Sequence, residues 1–486
     1  MSFAQAVLPA IAAILASVLV YALVLLVFGF YRASKSPLRD LRGPPSLSWK
    51  SGSVTNVWEL DAPEFFESII KEYGPTLKYH SFFNMDKLFT VDLKAINHIL
   101  NHSMEFYRSD AVRYSLEEIL AYSFNASGLL VVEGQQHKQQ AHDNQSNELY
   151  EAIRTMMSAD SFSLSFLVPL MFPPARYVPT ERYRKMAKCL ATIRRIGIQI
   201  VAEKKAAVLA SLGTQEKGFE RQDFAGRDLI SLLIKASLAV DLPESARLSD
   251  DDLVCQIPTF IVAGHETTSV SLAWTLFHLC LNTKAQDKLR AEVTAFHTDA
   301  PTMNELNTLP YLDAVMREAL RVDGPVSGSE PVACEDCIIP VDSEYLDKYG
   351  KVRREIRLNK GDPILIPVRE INKSKELWGE DAVEFIPERW EHPPEAARNI
   401  PSTYSNILSF LAGPHDCIGY RFSIIEAKAV LFTLIRSFKF ALALPKEQII
   451  WKTMVVGRPY SYPPKVMIMA GPECRLSDIN SSPAHS

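Results

Sequence analysis

Apolar residues follow two spacings along this chain of 486 residues. A spacing of three to four residues is typical of amphipathic helices, and strict alternation with polar residues is typical of half-buried strands. Helices are predicted at 63–73, 93–101, 148–157, 179–209, 228–239, 250–281 and 423–438. Strands are predicted at 76–80, 88–91, 364–367 and 466–469. The pattern therefore predicts a mainly α fold with small β-sheets, of the α+β class.

The N-terminal stretch is apolar enough to suggest a membrane anchor. No charged side chain precedes Arg32, and residues 6–31 are 26 uncharged, mostly apolar positions. A helix of this length exceeds the roughly 20 residues that cross a bilayer. A cleaved signal peptide is the alternative, but the run is too long and no basic segment precedes it. Basic residues follow at once, so the positive-inside rule places the rest of the chain in the cytosol. We predict a transmembrane anchor over residues 1–31 and a basic, proline-rich linker over residues 32–50.

Charge and cysteine usage exclude several classes of function. The formal net charge is −5 and no basic run is longer than two residues, so we predict no nucleic-acid partner. Seven cysteines, an odd number scattered over a long chain, favour a reducing compartment over a disulfide framework. Cys334 and Cys337 form a lone CxxC pair. Because no second CxxC or histidine pair accompanies it, we interpret this pair as a turn at a strand edge rather than a zinc site.

Residues 410–420, here called the cysteine loop, contain one cysteine, two glycines and a proline just before the predicted helix 423–438. The positive field of a helix N-terminus is expected to lower the pKa of Cys417 and to favour the metal-binding thiolate. Gly413 and Gly419 lack Cβ atoms where a large flat group would approach the backbone. One cysteine cannot complete a zinc or iron–sulfur site, but it can be the axial ligand of a haem iron. The alternative is a buried structural cysteine in a turn.

A polar segment interrupts the apolar helical run at 250–281. Residues 263–269 read A-G-H-E-T-T-S, with three successive hydroxyl side chains. Glycine and hydroxyl residues are poor choices for a buried helix interior. Gly264 would let a flat group approach the backbone, and Glu266 with Thr267 could hold water and pass protons. The alternative is a solvated kink in the helix.

A charged pair and a proline-containing motif follow. Glu318 and Arg321 are spaced i, i+3, so their carboxylate and guanidinium lie on one face of a predicted helix. Taken alone, this spacing describes an ordinary surface pair worth a few tenths of a kcal/mol. Further along the chain, residues 385–390 read F-I-P-E-R-W.

Together these four motifs resemble those of the cytochrome P450 family. The cysteine loop matches the family's haem-binding signature, F-x-x-G-x-[R/H]-x-C-x-G, at Phe410, Gly413, His415, Cys417 and Gly419. The resemblance covers most of the chain and implies the cytochrome P450 fold behind the N-terminal transmembrane helix. It also implies a haem b cofactor with Cys417 as the axial ligand of its iron, and thiolate ligation favours O–O cleavage.

The other motifs receive roles from the same resemblance. The polar helix segment is similar to the family's oxygen-activation motif, A-G-x-[D/E]-T-[T/S], which implies that Glu266 and Thr267 supply protons. The E-x-x-R and P-E-R-[F/W] elements imply that Glu318, Arg321 and Arg389 form a buried charged triad. A buried triad does not simply add stability. Its implied role is structural, to fix the core that presents the cysteine loop.

Contacts to the haem propionates are where the sequence departs from the family. Residues 133–138 match the start of the helix, E-G-x-x-H, from which His137 would reach a propionate. A histidine on a helix surface is the alternative. The family has arginine where Ala141 stands, and a second expected arginine is missing beside Glu330. His137 and His415 remain as propionate partners, and we expect weaker haem retention.

The chain also departs from the family in length. The helix that begins at His137 should continue, but after Gln140 the sequence resembles a later part of the family pattern. We predict that several tens of residues are absent between about Gln140 and Asn144. Helices that pack on them would lose apolar cover, at about 25 cal/mol per Å². The predicted catalytic domain covers residues 51–470 with this internal deletion, and residues 471–486 are predicted to be a disordered tail.

The function implied is a haem-thiolate monooxygenase that inserts one oxygen atom from O₂ into a lipophilic small molecule. Terpenoids or other secondary metabolites, steroids, fatty acyl chains and polycyclic aromatic xenobiotics all fit.

No flavin or iron–sulfur module is recognised in the sequence, so electrons are expected from a separate NADPH-cytochrome reductase, with cytochrome b5 as a second potential donor. We expect a single-pass protein of the endoplasmic reticulum membrane with a cytosolic catalytic domain. The motifs most resemble fungal members.

Two alternatives stay open. The gap after Gln140 could leave a truncated, haem-deficient and non-catalytic membrane-anchored protein. Some haem-thiolate proteins are isomerases or dehydratases that do not oxygenate their substrates. Glu266 and Thr267 argue against this second alternative, because such relatives need no proton relay for oxygen activation.

Overall fold

The computed structural model describes the chain in separate stretches. These are residues 34–46, 63–108 without 82, 83 and 103, 180–212, 250–453, 456–461 and 474–478, with a few single positions elsewhere. The chain divides into two compact units, one of Met1–Ser109 with Thr268–Ser486 and one of Asp110–Thr267. Several predictions concern residues outside those described, namely the helix at 148–157, nearly all of the helix at 228–239, the strand at 466–469 and the gap near 140–144.

Helices make up most of the described structure, as the apolar spacing predicts. Their bounds are α1 Pro63–Tyr73, α2 Leu93–Asn101, α3 Glu181–Leu212, α4 Asp250–Leu281, α5 Thr283–Ala295, α6 Met303–Leu306, α7 Pro310–Asp323, α8 Val368–Asn372, α9 Lys375–Trp378 and α10 Tyr420–Ser437. The predicted bounds of α1, α2 and α4 are confirmed. Helix α10 begins three residues earlier than predicted, directly after Gly419. Short 3₁₀ turns lie at Pro37–Asp40, Pro387–Glu391, Ala396–Asn399, Leu408–Phe410, Gly413–His415 and Lys446–Gln448.

The strands form several small sheets. Their bounds are β1 Thr76–His80, β2 Asp86–Thr90, β3 Phe106–Arg108, β4 Pro331–Ala333, β5 Cys337–Leu346, β6 Val352–Leu358, β7 Ile364–Leu365, β8 Phe438–Leu442, β9 Ile449–Thr453, β10 Gly457–Ser461 and β11 Cys474–Asp478. Strand β2 pairs antiparallel with β1 and parallel with β7. The other sheets are antiparallel pairs of β3 with β4, β5 with β6, β8 with β11 and β9 with β10. The CxxC pair lies at the turn from β4 to β5, as predicted.

Strand β11 corrects the prediction of a disordered tail. Its five residues pair antiparallel with β8, from Cys474 opposite Leu442 to Asp478 opposite Phe438. Residues 474–478 therefore form a strand within the stretch that was predicted to be disordered. The free edge of β8 offers hydrogen-bond partners to the backbone of any segment that reaches it.

Helix α7 occupies the middle of the larger unit's core. Leu312, Val315 and Leu320 are at most 3% exposed, and they belong to one apolar cluster with Leu289 of α5 and Leu431 of α10. Burial of apolar surface at about 25 cal/mol per Å² is the main stabilising contribution of such a cluster. The two charged residues of this helix that the sequence singles out are therefore held inside an apolar core.

Helix α2 is tied at its start to the β5–β6 sheet. The carboxylate of Asp92 accepts a hydrogen bond from the backbone N–H of Ala95 at 3.0 Å, which caps the helix. It also accepts from the N–H groups of Asp342 and Ser343, at 3.0 and 2.9 Å. One buried side chain thus fixes the helix against which the cysteine loop packs.

Most of residues 1–31 lie outside the described residues. Within the part of the chain that is described, no helix has both the length and the apolar composition needed to span a membrane. The N-terminal transmembrane anchor stays a prediction.

Candidate active site

The backbone of the cysteine loop is held by its own hydrogen bonds. The N–H of Cys417 donates to the carbonyl of Phe410 at 3.0 Å, and the N–H of Tyr420 donates to the carbonyl of Cys417 at 3.2 Å. Between them, the carboxylate of Asp416 accepts from the hydroxyl of Thr403 at 2.6 Å. These bonds fix the loop on both sides of Cys417 and leave that residue exposed.

Gly413 is required by packing against α2. Its φ angle is +74°, in the left-handed region, and a Cβ atom there would lie 2.3 Å from the carbonyl oxygen of Leu100. Around Gly419, in contrast, a Cβ atom would meet no atom of the described residues within 4 Å. The neighbour that Gly413 accommodates in this structure is the end of α2, and its place beside a flat group stays a prediction. Gly419 is the glycine beside Cys417 that has open space.

The side chains of the cysteine loop differ in how firmly they are held. The ring of Phe410 lies 5.8 Å from that of Tyr404 and 6.0 Å from that of Tyr420, between centroids. His415 is exposed. Ile418, directly after Cys417, is 89% exposed although it is apolar. Its apolar side chain is thus exposed directly beside the exposed thiol.

The expected lowering of the Cys417 pKa is wrong for the thiol in the absence of a metal ion. Burial by the surrounding loop atoms raises the pKa of Cys417. A hydrogen bond from the backbone N–H of Gly419 acts in the opposite direction, and the negative charge of Asp416 raises the pKa further. Coordination to a metal ion deprotonates a thiol outright.

The residues of this loop fit a haem. The cysteine loop offers one exposed thiol, open space at Gly419 and an apolar neighbour, Ile418. A single thiolate suits the axial position of a haem iron, whereas zinc and iron–sulfur sites need several ligands. Cys417 would hold such a group, and His415 is placed two residues before it on the same loop.

The polar segment of α4 contains a side chain-to-backbone hydrogen bond. The hydroxyl of Thr267 donates to the carbonyl of Ala263 at 2.5 Å. Such a bond back to residue i−4 locally distorts a helix. Both Glu266 and Thr267 are half-buried, and a Cβ atom at Gly264 would meet none of the described atoms within 4 Å. One turn of α4 therefore brings together the carboxylate, the hydroxyl and the open glycine that the sequence predicts.

Thr268 is a residue that sequence analysis did not single out as functional. It is 5% exposed, and its hydroxyl has no hydrogen-bond partner among the described residues. A buried hydroxyl without a partner costs about 1–3 kcal/mol and calls for an explanation. The succession of three hydroxyl residues in an apolar helix was its only sign in the sequence.

The predicted charged triad is present in the larger unit, and Arg321 lies at its centre. Its guanidinium donates two hydrogen bonds to the carboxylate of Glu318, at 2.8 and 2.9 Å, and both residues are fully buried. Its other N–H groups donate to the backbone carbonyls of Asn372, Ala382 and Glu384, at 2.9, 2.5 and 3.0 Å. A buried charge is tolerated when its hydrogen bonds are satisfied in this way.

The carboxylate of Glu318 binds the remaining members of this buried network. Its carboxylate accepts from the N–H of Ile386 at 2.9 Å and from the indole N–H of Trp390 at 3.1 Å. The guanidinium of Arg389 lies 3.4 Å from the same carboxylate and donates to the carboxylate of Asp381 at 2.7 Å. The motif at residues 385–390 is thus fastened to α7 through one buried carboxylate.

Asn372 connects this triad to the cysteine loop, and sequence analysis missed it. Its carbonyl accepts from Arg321, and its side-chain oxygen accepts from the N–H of Leu408 at 2.9 Å. Its side-chain amide donates to the hydroxyl of Ser409, which in turn donates to the carbonyl of Leu320 at 2.7 Å. Leu408 and Ser409 lead directly into the cysteine loop. Nothing in the sequence marks this asparagine, because its role depends on contacts far apart in the chain.

The predicted propionate region is described only in part. His137 and Ala141 lie outside the described residues. The carboxylate of Glu330 forms an ion pair with Lys87 of β2, 2.9 Å from its ammonium nitrogen. The residue beside the missing arginine therefore forms an ion pair with β2.

Comparison with known proteins gives one consistent result. A family model described as Cytochrome P450 matches residues 137–464, about two thirds of the chain. A protein of Postia placenta named "Cytochrome P450 monooxygenase 205" is 40% identical over an alignment of 497 positions, with 87% of this chain and 90% of that protein covered. "Cytochrome P450 monooxygenase 128" of the same fungus is 37% identical with the same coverage. "Ganoderic acid synthetase CYP5150L8" of Ganoderma lucidum is 29% identical, with 87% and 91% covered.

Replacing Asn372 with alanine is expected to destabilise the protein by about 2–4 kcal/mol, because the buried N–H of Leu408 and the hydroxyl of Ser409 lose their partner. Haem loss should become faster in the same variant. Urea unfolding and transfer of haem to an acceptor protein measure the two effects. Asn399→Ala, at an exposed asparagine of a 3₁₀ turn, should stay within about 0.5 kcal/mol of the parent. An equal free energy of unfolding and an equal rate of haem loss in the two variants would contradict the role of Asn372.

Gly413→Ala is expected to prevent formation of a thiolate-ligated haem, because its Cβ atom would overlap the Leu100 carbonyl. Gly350 provides the matched control, since its φ angle is +78° and a Cβ atom there would meet nothing within 4 Å in the part of the chain that the structure describes. Gly350→Ala should therefore carry only the backbone strain of about 1 kcal/mol. The haem content per chain of the purified variants decides between them. A Gly413→Ala protein with full haem content would disprove the packing argument.

Proposed function

The chain belongs to the cytochrome P450 family and is a haem-thiolate monooxygenase, and on this premise we propose that it inserts one oxygen atom from O₂ into a lipophilic small molecule. The observation that carries the proposal is the exposed Cys417, held by the hydrogen bond from its N–H to Phe410 on a loop anchored through Asn372. We assign the cofactor as haem b. Cys417 would hold its iron and His415 one propionate, and His137 stays a prediction for the other.

When bound, haem supplies the redox chemistry of oxygen cleavage, which thiolate ligation favours. The chain's own contribution is to position that group and to move protons. The hydroxyl of Thr267 donates a hydrogen bond to the carbonyl of Ala263, so its oxygen atom remains available to accept a hydrogen bond from water. Glu266, the preceding residue, provides a carboxylate that can take up and release protons. We assign proton supply to these two side chains.

The electron donor and the cellular location are proposed from the sequence. We propose a separate NADPH-cytochrome reductase as the donor, with cytochrome b5 as a second one, on the endoplasmic reticulum membrane. The 26 uncharged residues at 6–31 and the basic residues after them support a single-pass anchor with a cytosolic catalytic domain.

The substrate class is proposed as a lipophilic secondary metabolite, with terpenoids foremost and steroids and polycyclic aromatic xenobiotics as further members of the test panel. One relative, 29% identical, is named for the synthesis of ganoderic acid.

A panel of lipophilic compounds can be screened through the shift of the Soret band on binding. Incorporation of one ¹⁸O atom from ¹⁸O₂ into the product, with reductase and NADPH present, tests monooxygenation. A product without ¹⁸O would favour an isomerase or dehydratase.

We also propose that the chain lacks several tens of residues near Gln140–Asn144. The alignment to the 40% identical relative has 497 positions and is longer than the chain itself. Since 87% of 486 residues is about 423, about 74 alignment positions hold no residue of this chain. This supports an internal deletion of the predicted size. It also keeps open the alternative that this form of the chain binds haem poorly.

Thr267→Ala is expected to uncouple NADPH consumption from product formation. Without the hydroxyl, proton supply fails, so the amount of product per NADPH should fall at least tenfold while hydrogen peroxide rises. Thr267→Ser keeps the hydroxyl and should retain most of the coupling. Thr433→Ala is the matched control, because Thr433 makes the same bond to residue i−4 on the exposed side of α10. An unchanged amount of product per NADPH in Thr267→Ala would contradict the assignment of proton supply to Thr267.

Restoring the missing segment is expected to raise haem content. The corresponding segment of the 40% identical relative would be inserted between Gln140 and Asn144, and an equally long glycine–serine insert would serve as the control. The fraction of purified chains with thiolate-ligated haem should rise several-fold with the first insert only. No difference between the two inserts, or none from the parent chain, would contradict the proposed deletion.

A further inference from the structure

Three side chains with metal-binding atoms meet at the C-terminal end of α2. His98 and His102 are one helical turn apart, and their rings stack with centroids 3.9 Å apart and planes inclined by 24°. Glu105 follows three residues later. One ligand atom from each of the three residues lies within 4.8 Å of the other two. This cluster, the α2 histidine cluster, is separate from the residues assigned to haem and proton supply.

The hydrogen-bonding partners within the cluster leave ligand atoms available. The Nε2 atom of His98 is buried and has no hydrogen-bond partner among the described residues. The nearest carboxylate oxygen, of Glu105, lies 3.9 Å away, beyond hydrogen-bond distance. A buried polar atom left in this state costs about 1–3 kcal/mol. A ligand between His98 and Glu105 would satisfy both.

His102 has the tautomer that metal binding needs. Its Nδ1 atom lies 2.7 Å from the carbonyl oxygen of His98. Because a carbonyl oxygen can only accept, Nδ1 carries the proton, which in the neutral ring leaves the lone pair on Nε2. This arrangement, in which the second ring nitrogen donates to a carbonyl, is typical of metal-binding histidines.

The backbone holds the three residues in a tight turn. The N–H groups of Glu105 and Phe106 both donate to the carbonyl of His102, at 2.9 and 3.1 Å, and the N–H of His102 donates to the carbonyl of His98 at 3.1 Å. Phe106 also packs edge-on against the ring of His98, 6.1 Å between centroids. The positions of the ligand-bearing residues are therefore set before any ion binds.

We propose that His98, His102 and Glu105 bind a divalent transition-metal ion of the zinc class. Two imidazoles and a carboxylate form a donor set that zinc accepts, with metal–ligand distances near 2.0–2.2 Å and water in the fourth position. The exposed His102 and the half-buried Glu105 can rotate to close the remaining distance. Magnesium and calcium prefer oxygen ligands and should not compete.

The α2 histidine cluster adjoins the packing of the cysteine loop. The backbone of Leu100 and the side chain of Asn101, between the two histidines, lie against Gly413. A bound ion would connect the end of α2 to the start of β3 and so restrain the helix end on which Gly413 rests. We expect it to raise the thermal stability of the protein.

The test uses the full-length, haem-loaded chain, treated with a chelator that is then dialysed away. Equilibrium dialysis against Zn²⁺, with the metal measured by elemental analysis, should show one tight ion per chain. His102→Ala, at an exposed residue, should fold normally, bind Zn²⁺ at least tenfold more weakly and lose the Zn²⁺-induced rise in unfolding temperature. Glu105→Gln should weaken binding in the same direction.

His297→Ala is the matched control, because His297 is an exposed histidine that lies 3.2 Å from a glutamate, Glu305, without a second histidine. The Zn²⁺ affinity of this variant should equal that of the parent chain. In a second control, excess Mg²⁺ should not displace the bound Zn²⁺ from the parent chain. The proposal is overturned if the parent chain shows no saturable binding of one ion. It is equally overturned if His102→Ala retains the parent affinity, or if His297→Ala loses as much as His102→Ala.

Discussion

The buried ion pair between Glu318 and Arg321 is the interaction on which the rest of the larger unit depends. Taking both charges out of water is costly, and either one left without its partner would cost about 3–5 kcal/mol. The cost is offset because Arg321 and Glu318 together bind the backbone of three segments that follow α7. Through Asn372, the same network reaches the backbone of Leu408 and hence the cysteine loop. The buried ion pair therefore fixes the backbone that leads to the exposed thiol of Cys417.

Much of this arrangement could be predicted from residue types and spacing. The apolar spacing gave the bounds of α1, α2 and α4, because amphipathic and long apolar helices carry strong local patterns. The motifs identified Glu318, Arg321 and Arg389, and the structure brings all three together. Glu266, Thr267 and Gly264 lie in one turn of α4, as their spacing requires. Such features are local, or belong to motifs long enough to be recognised.

What could not be predicted depends on contacts between distant parts of the chain. Asn372 matters because it forms hydrogen bonds with both Arg321 and Leu408, which are far apart in the chain. No local sequence pattern shows these contacts. Glycine is needed at position 413 because α2 lies against the cysteine loop. The sequence of the loop alone does not show this contact. The pKa of Cys417 is raised because desolvation by the surrounding loop outweighs the hydrogen bond from the N–H of Gly419, a balance that spacing cannot decide. Residues 474–478 form a strand because β8 has a free edge.

The central claim is that Cys417 is the thiolate ligand of haem in this chain, despite the predicted deletion after Gln140. The most direct measurement is the carbon monoxide difference spectrum of dithionite-reduced membranes that contain the full chain. The account predicts the Soret band of a thiolate-ligated haem, absent in a Cys417→Ala variant expressed to the same level. A band typical of a neutral ligand, or no band from membranes in which immunoblotting detects the chain, would contradict it.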